Sequence, residues 1–388
     1  MNWKELKALS EHYVIPPELR LPLNLDRGEG ATLYDLLGEQ YTDFASGLTG
    51  NSLGAGYAPW AEAVLEQLLR LGAAPRHVYT APEAELSFDL CTRTGMAKAL
   101  FTDSGALGSE AMVHMARDYS HRHYGPGRDV VLTLTHSTHG QSLEMLAAAG
   151  SPALRCHPTR VGFRQTEPDM NAIREAGEKD VCAVLLELIQ VDGSLDPLPR
   201  SLIHALAVFC AEQDWLLLID EVQTGAGRCG SLFAFQQYGI LPDAVSFGSS
   251  LAGGLPFGGL LVSNRCRELL PTGGTGGHPV SCAGARAFLD FLNEDTLASI
   301  REKGDYLRSG METLHLSALG DHRGLGLLVG LTLLGHRDGG ELSAQLSQRG
   351  LLCLPARDGL LLAPPLTVTQ KELDRGLSIL SHVLSEGA

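Results

Sequence analysis

The chain reads as an α/β protein built on a largely parallel sheet, and two observations carry that reading. From about residue 58 to residue 263, short apolar runs alternate with segments of helical periodicity. Strands that alternate with helices need crossover connections, which cover a parallel sheet on both faces. The length agrees, because 388 residues with 44% hydrophobic content can bury a large core and support a smaller satellite.

After a short amphipathic opening, Ala31 to Phe44 reads as a β-hairpin, since a Gly-centred turn separates two β-rich runs. The strands expected next are Lys98 to Thr102, Asp129 to Thr135, Val181 to Leu188, Leu216 to Asp220, Ala244 to Gly248 and Gly259 to Ser263. Between them Leu202, Ala205, Leu206, Phe209 and Cys210 follow the spacing of one buried helical face. After Pro279 a long helical pattern runs to about residue 317. Apolar runs at Leu325 to Leu334, Leu351 to Leu354 and Leu360 to Leu362 follow, and a last helix is expected from about Gln370 to Leu384. The expected division is an N-terminal segment, residues 1–50, that contributes to a small domain, a large domain of residues 51–275, and the C-terminal part of the small domain, residues 276–388.

The net charge of -15, without a basic stripe, excludes a phosphate-backbone partner such as nucleic acid. The amino terminus lacks an apolar signal core, and runs such as Trp215 to Ile219 are too short to span a bilayer. A cytoplasmic location away from membranes is expected. Eight cysteines, at 91, 156, 182, 210, 229, 266, 282 and 353, form no C-x-x-C pair. They read as reduced core thiols, Cys229 in its polar turn included.

Four strand-end motifs suggest one anionic, aromatic ligand at the carboxyl ends of the strands. In Phe101-Thr-Asp-Ser-Gly-Ala-Leu-Gly-Ser-Glu110, small residues open a helix, and backbone N–H groups with the Ser104 hydroxyl can hold a phosphate at the positive end of the helix dipole. Leu217-Leu-Ile-Asp220-Glu-Val-Gln223-Thr-Gly-Ala-Gly-Arg228-Cys-Gly sets a carboxylate directly after an apolar strand. The other two are Thr138-His139-Gly140-Gln141-Ser142 and Leu186-Glu187-Leu-Ile-Gln190-Val-Asp192-Gly-Ser. Two further stretches, Gly273-Gly-Thr275-Gly-Gly-His-Pro279 and Asp243-Ala-Val-Ser-Phe-Gly-Ser249-Ser-Leu-Ala-Gly-Gly-Leu-Pro256, are turn-rich.

Together these strings resemble the class III aminotransferases from about Leu25 to the end, with the closest likeness to acetylornithine and ornithine-type members. The resemblance implies fold type I, with a mostly parallel seven-stranded sheet, and pyridoxal 5'-phosphate (PLP) as cofactor. It implies phosphate contacts at Ser104, Gly105 and Ala106, and an Asp220 carboxylate that keeps the pyridine nitrogen protonated. Val222, Gln223, Thr138, His139 and Glu187 would surround the ring, with Gln223 near its hydroxyl. Gln141 and Asp192 would face an amine or amino-acid substrate. Thr275 takes the place of a threonine that reaches the phosphate of a neighbouring subunit, so the resemblance also implies a homodimer.

Several positions depart from the family pattern. Thr138 stands where an aromatic usually stacks on the ring, and Gln141 and Leu361 stand where arginines bind substrate carboxylates. Ser249 occupies the place of the lysine that carries PLP covalently and moves the proton at the substrate α-carbon. Normal transamination is therefore not expected. Three readings stay open: a working transaminase inactivated by substitution, a naturally diverged protein that keeps the ring site for lysine-independent chemistry, and a non-catalytic partner or regulator. A Ser249 nucleophile is disfavoured, since no His and Asp pair has the spacing of a triad.

Overall fold

The structure is a computed structural model that describes all residues except 17–19, 152–161, 191–194, 196, 270–275, 315–318, 335–337, 357–358 and 387–388. Helix α1 (Trp3–Tyr13) opens the chain, where Asn2 and Glu5 cap each other's backbone N–H. Three short strands follow, β1 (Arg27–Glu29), β2 (Thr32–Tyr34) and β3 (Gln40–Asp43), paired antiparallel in sequence. The expected hairpin is the pair β2 and β3.

Helices α2 (Ala58–Leu71) and α3 (Ala81–Thr94) lead into the large sheet. Its elements are β4 (Lys98–Thr102), α4 (Gly105–Tyr124), β5 (Val130–Leu134), α5 (Leu143–Ala148), β6 (Phe163–Thr166), α6 (Met170–Ala176), β7 (Val181–Leu186) and α7 (Arg200–Gln213). They continue through β8 (Leu216–Asp220), α8 (Ala234–Tyr238), β9 (Ala244–Phe247) and β10 (Gly258–Val262). The seven strands lie in the order β4-β10-β9-β8-β7-β5-β6. All pairings are parallel except those of β10, which runs antiparallel to both neighbours.

Strands β7 to β10 are buried along their whole length, as central strands covered on both faces must be. Side chains alternate between two cores: Ala183, Leu185, Leu216 and Leu218 pack with Met112 and Met115 of α4. Val184, Leu186, Leu217 and Ile219 face the other core, which extends into the C-terminal unit.

That unit comprises α9 (Pro279–Phe291), α10 (Glu294–Glu312), β11 (Leu319–Leu325), β12 (Leu328–Leu333), α11 (Gly339–Gln348), β13 (Leu351–Leu352), β14 (Leu354–Ala356), β15 (Gly359–Leu362) and α12 (Gln370–Glu386). The single long helix expected after Pro279 is two helices, because Asn293 interrupts it and caps α10 by accepting the Thr296 N–H at 2.9 Å. Strand β13 pairs parallel with β3, which joins the two chain ends in one small sheet.

The seven described cysteines are free thiols, six of them buried and Cys91 half-buried. Burial pushes the Cys182 thiol up to about 12. Among the described residues no helix is long and apolar enough to cross a membrane.

Candidate functional site

Strand β8 ends on Asp220, opposite Ser246 of β9. The Asp220 carboxylate is only 4% exposed, and four donors from four chain segments reach it. Oδ2 accepts from Ser109 Oγ on α4 at 3.0 Å and from His139 Nδ1 at 2.9 Å. Oδ1 accepts from Ser246 Oγ at 3.0 Å and from the Val222 N–H at 3.1 Å. A carboxylate in this setting is fully solvated by the protein itself.

The start of α4 closes the same corner. Ser104 caps the helix, accepting the Leu107 N–H at 3.4 Å, so the first-turn amides of Gly105 and Ala106 lie at the positive end of the helix dipole. A Cβ at residue 105 would lie 2.6 Å from Val222 Cγ2, and one at residue 248 would lie 2.9 Å from Val222 Cγ1. Val222 therefore wedges between the β4–α4 turn and the end of β9. Gly140, at φ +123°, lets its loop settle on Ala106, where a Cβ would come within 2.7 Å of the alanine methyl.

His139 is completely buried, and among the described residues its Nε2 has no hydrogen-bond partner. The paired His and Asp that a triad needs thus exist in space although not in sequence spacing. Among the described residues no hydroxyl is hydrogen-bonded to His139 Nε2, so the pair as it stands is not joined to a serine. Next to it, the Thr138 N–H donates to Glu187 Oε2 at 2.9 Å, and Gln190 Nε2 donates to the Thr135 carbonyl at 2.5 Å. Thr138 is half-buried and Gln141 exposed.

Ser249 begins a 3-10 turn, Ser249–Ala252, directly after β9. A Cβ at residue 50 would lie 3.0 Å from its Oγ. Gln223 Oε1 accepts the Thr49 hydroxyl at 2.6 Å. Both contacts come from one loop that sequence reasoning passed over, in which Ser46, Gly47, Leu48 and Thr49 all have left-handed backbone, with φ of 44°, 56°, 61° and 69°. Three of these are not glycine, and such strain persists only where the surroundings hold it. Here Asp43 Oδ1 accepts the N–H groups of Ala45 and Ser46 at 2.8 Å, and Ser46 Oγ donates to the Ala363 carbonyl at 2.6 Å.

The string that follows Asp220 divides between cleft and scaffold. Asp220, Val222 and Gln223 face the corner just described, whereas Glu221 is fully buried and accepts from Thr224 Oγ1 at 2.9 Å and from the Ala234 and Phe235 N–H groups at 2.7 Å. Arg228, equally buried, donates through Nη1 to the carbonyls of Leu327 and Pro364, tying this loop to the C-terminal unit. Burial lowers the Arg228 pKa to about 10.

The structure thus brings Ser104, Gly105, Ala106, Val222, Gln223, Asp220, His139 and Ser249 to the carboxyl ends of β4, β8 and β9, while Thr138 and Glu187 flank them. Leu361 is buried on β15, opposite Gly330 of β12. Asp192 and Thr275 lie outside the described residues.

Residues 13–384 match the family model described as aminotransferase class-III. The chain is similar to an acetylornithine aminotransferase of Haemophilus ducreyi, 36% identical over 100% of both chains. It is also similar to an acetylornithine aminotransferase of Caldanaerobacter subterraneus subsp. tengcongensis, 33% identical over 96% of this chain and 98% of that one. Among solved structures, an (S)-enantioselective omega-transaminase from Thermomicrobium roseum superposes with a TM-score of 0.92 at 28% identity, covering 100% of this chain and 99% of that one.

Proposed function

The chain belongs to the class-III aminotransferase family, and from that premise we propose that it holds PLP without a covalent tether and receives a small amine or amino acid. The observation that carries the reading is the convergence on one corner of a helix N-terminus, a buried carboxylate and Ser249.

The residues fit the group. An anionic phosphate suits the first-turn amides of α4 and the Ser104 hydroxyl. A protonated ring nitrogen suits the Asp220 carboxylate, which is buried and already held by neutral hydroxyl and backbone N–H donors beside the His139 ring. Val222, wedged against Gly105 and Gly248, offers an apolar face, and Gln223 offers an amide within one loop of Ser249. When bound, the cofactor supplies an electron sink for charge developing at the substrate carbon.

What the chain's own residues do follows from their chemistry. Asp220 holds the ring-nitrogen proton. Ser249 replaces the amine that in lysine-bearing members both tethers the cofactor and carries a proton, and an aliphatic hydroxyl is too weakly basic at neutral pH for either task. Gln141 is exposed and uncharged, so it offers a substrate carboxylate a hydrogen bond but no ion pair. Thr275, the homodimer, the domain division at residues 50 and 275, and a cytoplasmic location belong to the same reading; the pairing of β13 with β3 supports a small domain built from both chain ends.

The test is uptake of PLP by the purified chain and by Ser249→Lys. The chain as it stands should bind PLP reversibly, and borohydride reduction should fix no pyridoxyl group at residue 249. Ser249→Lys should gain one such group at that residue, read by peptide mass, and a substitution-inactivated transaminase would regain transfer from an ornithine-like donor. If neither protein takes up PLP, the cofactor reading fails and a non-catalytic role replaces it.

A further inference from the structure

We propose that Ser109 is a positioning residue that acts through Asp220, an inference that rests on the cofactor reading above. An aspartate carboxylate turns about a broad, two-fold torsion, so its plane is set by whatever donates to it. Here Oδ1 takes one hydrogen bond from the backbone of its own loop and one from Ser246, and Oδ2 takes one from Ser109 and one from His139.

Ser109 and Ser246 are both completely buried, and their hydroxyls lie 3.1 Å apart. Ser246 spends its single hydrogen on Oδ1, which leaves the Ser109 hydrogen for Oδ2, with the Ser246 oxygen as a second, weaker acceptor. The carboxylate is thereby gripped from α4 on one side and β9 on the other. Neither hydroxyl is exposed to solvent. The grip fixes the carboxylate plane before any ligand arrives, which is the preorganisation that a charged N–H donor on an aromatic ring requires.

The experiment uses Ser109→Ala and two ligands, PLP and its 1-deaza analogue, in which carbon replaces the ring nitrogen. Loss of a buried hydrogen bond to a charged group should weaken PLP binding by about tenfold or more. Binding of the deaza analogue, which makes no N–H contact with Asp220, should change by less than about twofold. Equal weakening of both ligands would mean that Ser109 merely supports the fold and would overturn the proposal.

A second readout needs no cofactor. In the ligand-free protein the His139 Nδ1 proton should give a downfield, slowly exchanging NMR signal, and Ser109→Ala should broaden it or move it upfield. An unchanged signal sinks the inference even if PLP binds. If wild type takes up no PLP, the cofactor reading is what fails, and the His139 signal still decides whether Ser109 holds the carboxylate. Should Ser109→Ala not fold, Ser109→Cys, which keeps a side chain in place but offers a much weaker donor to Oδ2, carries the same test with the same selective loss expected.

Discussion

Two neighbouring carboxylates at the end of β8 face opposite surroundings. Asp220 meets donors around the candidate cleft, whereas Glu221 is sealed inside the scaffold. Three donated hydrogen bonds pull the Glu221 value down, but complete burial outweighs them and raises it from 4.5 to about 7. The folded protein therefore holds this proton more tightly than the unfolded chain does. Stability linked to it is complete below about pH 4.5 and is lost as pH climbs through about 7. Over that interval the loss should be about 2–3 kcal/mol. Urea unfolding of wild type at pH 5 and pH 8 should show this fall, and Glu221→Gln should flatten it, whatever the variant does to absolute stability. A slope that survives the substitution would assign the titration to another group.

Helix α4 and strand β10 approach more closely than ordinary side chains permit. A Cβ at residue 108 would sit 2.5 Å from the Gly259 carbonyl oxygen and 3.0 Å from its carbon, so backbone meets backbone. Gly108→Ala must push the helix off the sheet at a cost of about 1–3 kcal/mol. Because the same helix carries Ser104 and Ser109, PLP affinity should fall along with the urea midpoint. A variant with unchanged stability and affinity would show that the helix shifts freely. At this scale the sequence was legible where a feature is local: apolar strands, the hairpin turn and the string after Asp220. It was less legible where pairing decides. Strand β6 carries Arg164 and Gln165 on the sheet edge, which blurs its apolar signal. The antiparallel course of β10 follows from its connection to β9, too short for a crossover helix, a clue that residue patterning alone does not supply. Ser109 joins the site only because helical phase brings it to a carboxylate 111 residues away. The left-handed run Ser46 to Thr49 left no mark in residue type, since three of its four members are not glycine.

At the scale of the whole molecule, helices α2 and α3 carry exposed apolar side chains. On α2, Leu65 and Leu69 stand one turn apart at 56% and 80% exposure, and Phe88 on α3 is 70% exposed. Tyr79, between the two helices, is fully exposed. Both helices pack against α9, and with it they enclose a cleft of about 470 Å³ rimmed by Glu66, Arg70, Glu85 and Arg286. Single exposed leucines are ordinary, but several exposed apolar side chains on the two helices that flank a cleft with charges of both signs suit an interface with a polar rim. A second copy is the occupant the family reading proposes, and self-association suits a face that carries both signs of charge. Sedimentation at micromolar concentration should then give twice the 41.4 kDa chain mass. Leu69→Glu places a charge on the exposed apolar side of α2 and should shift the protein toward monomer without altering its circular dichroism. If wild type sediments at the single-chain mass, or if Leu69→Glu leaves a dimer intact, this face is not the one that joins two copies, and Thr275 cannot be placed at a shared site through it.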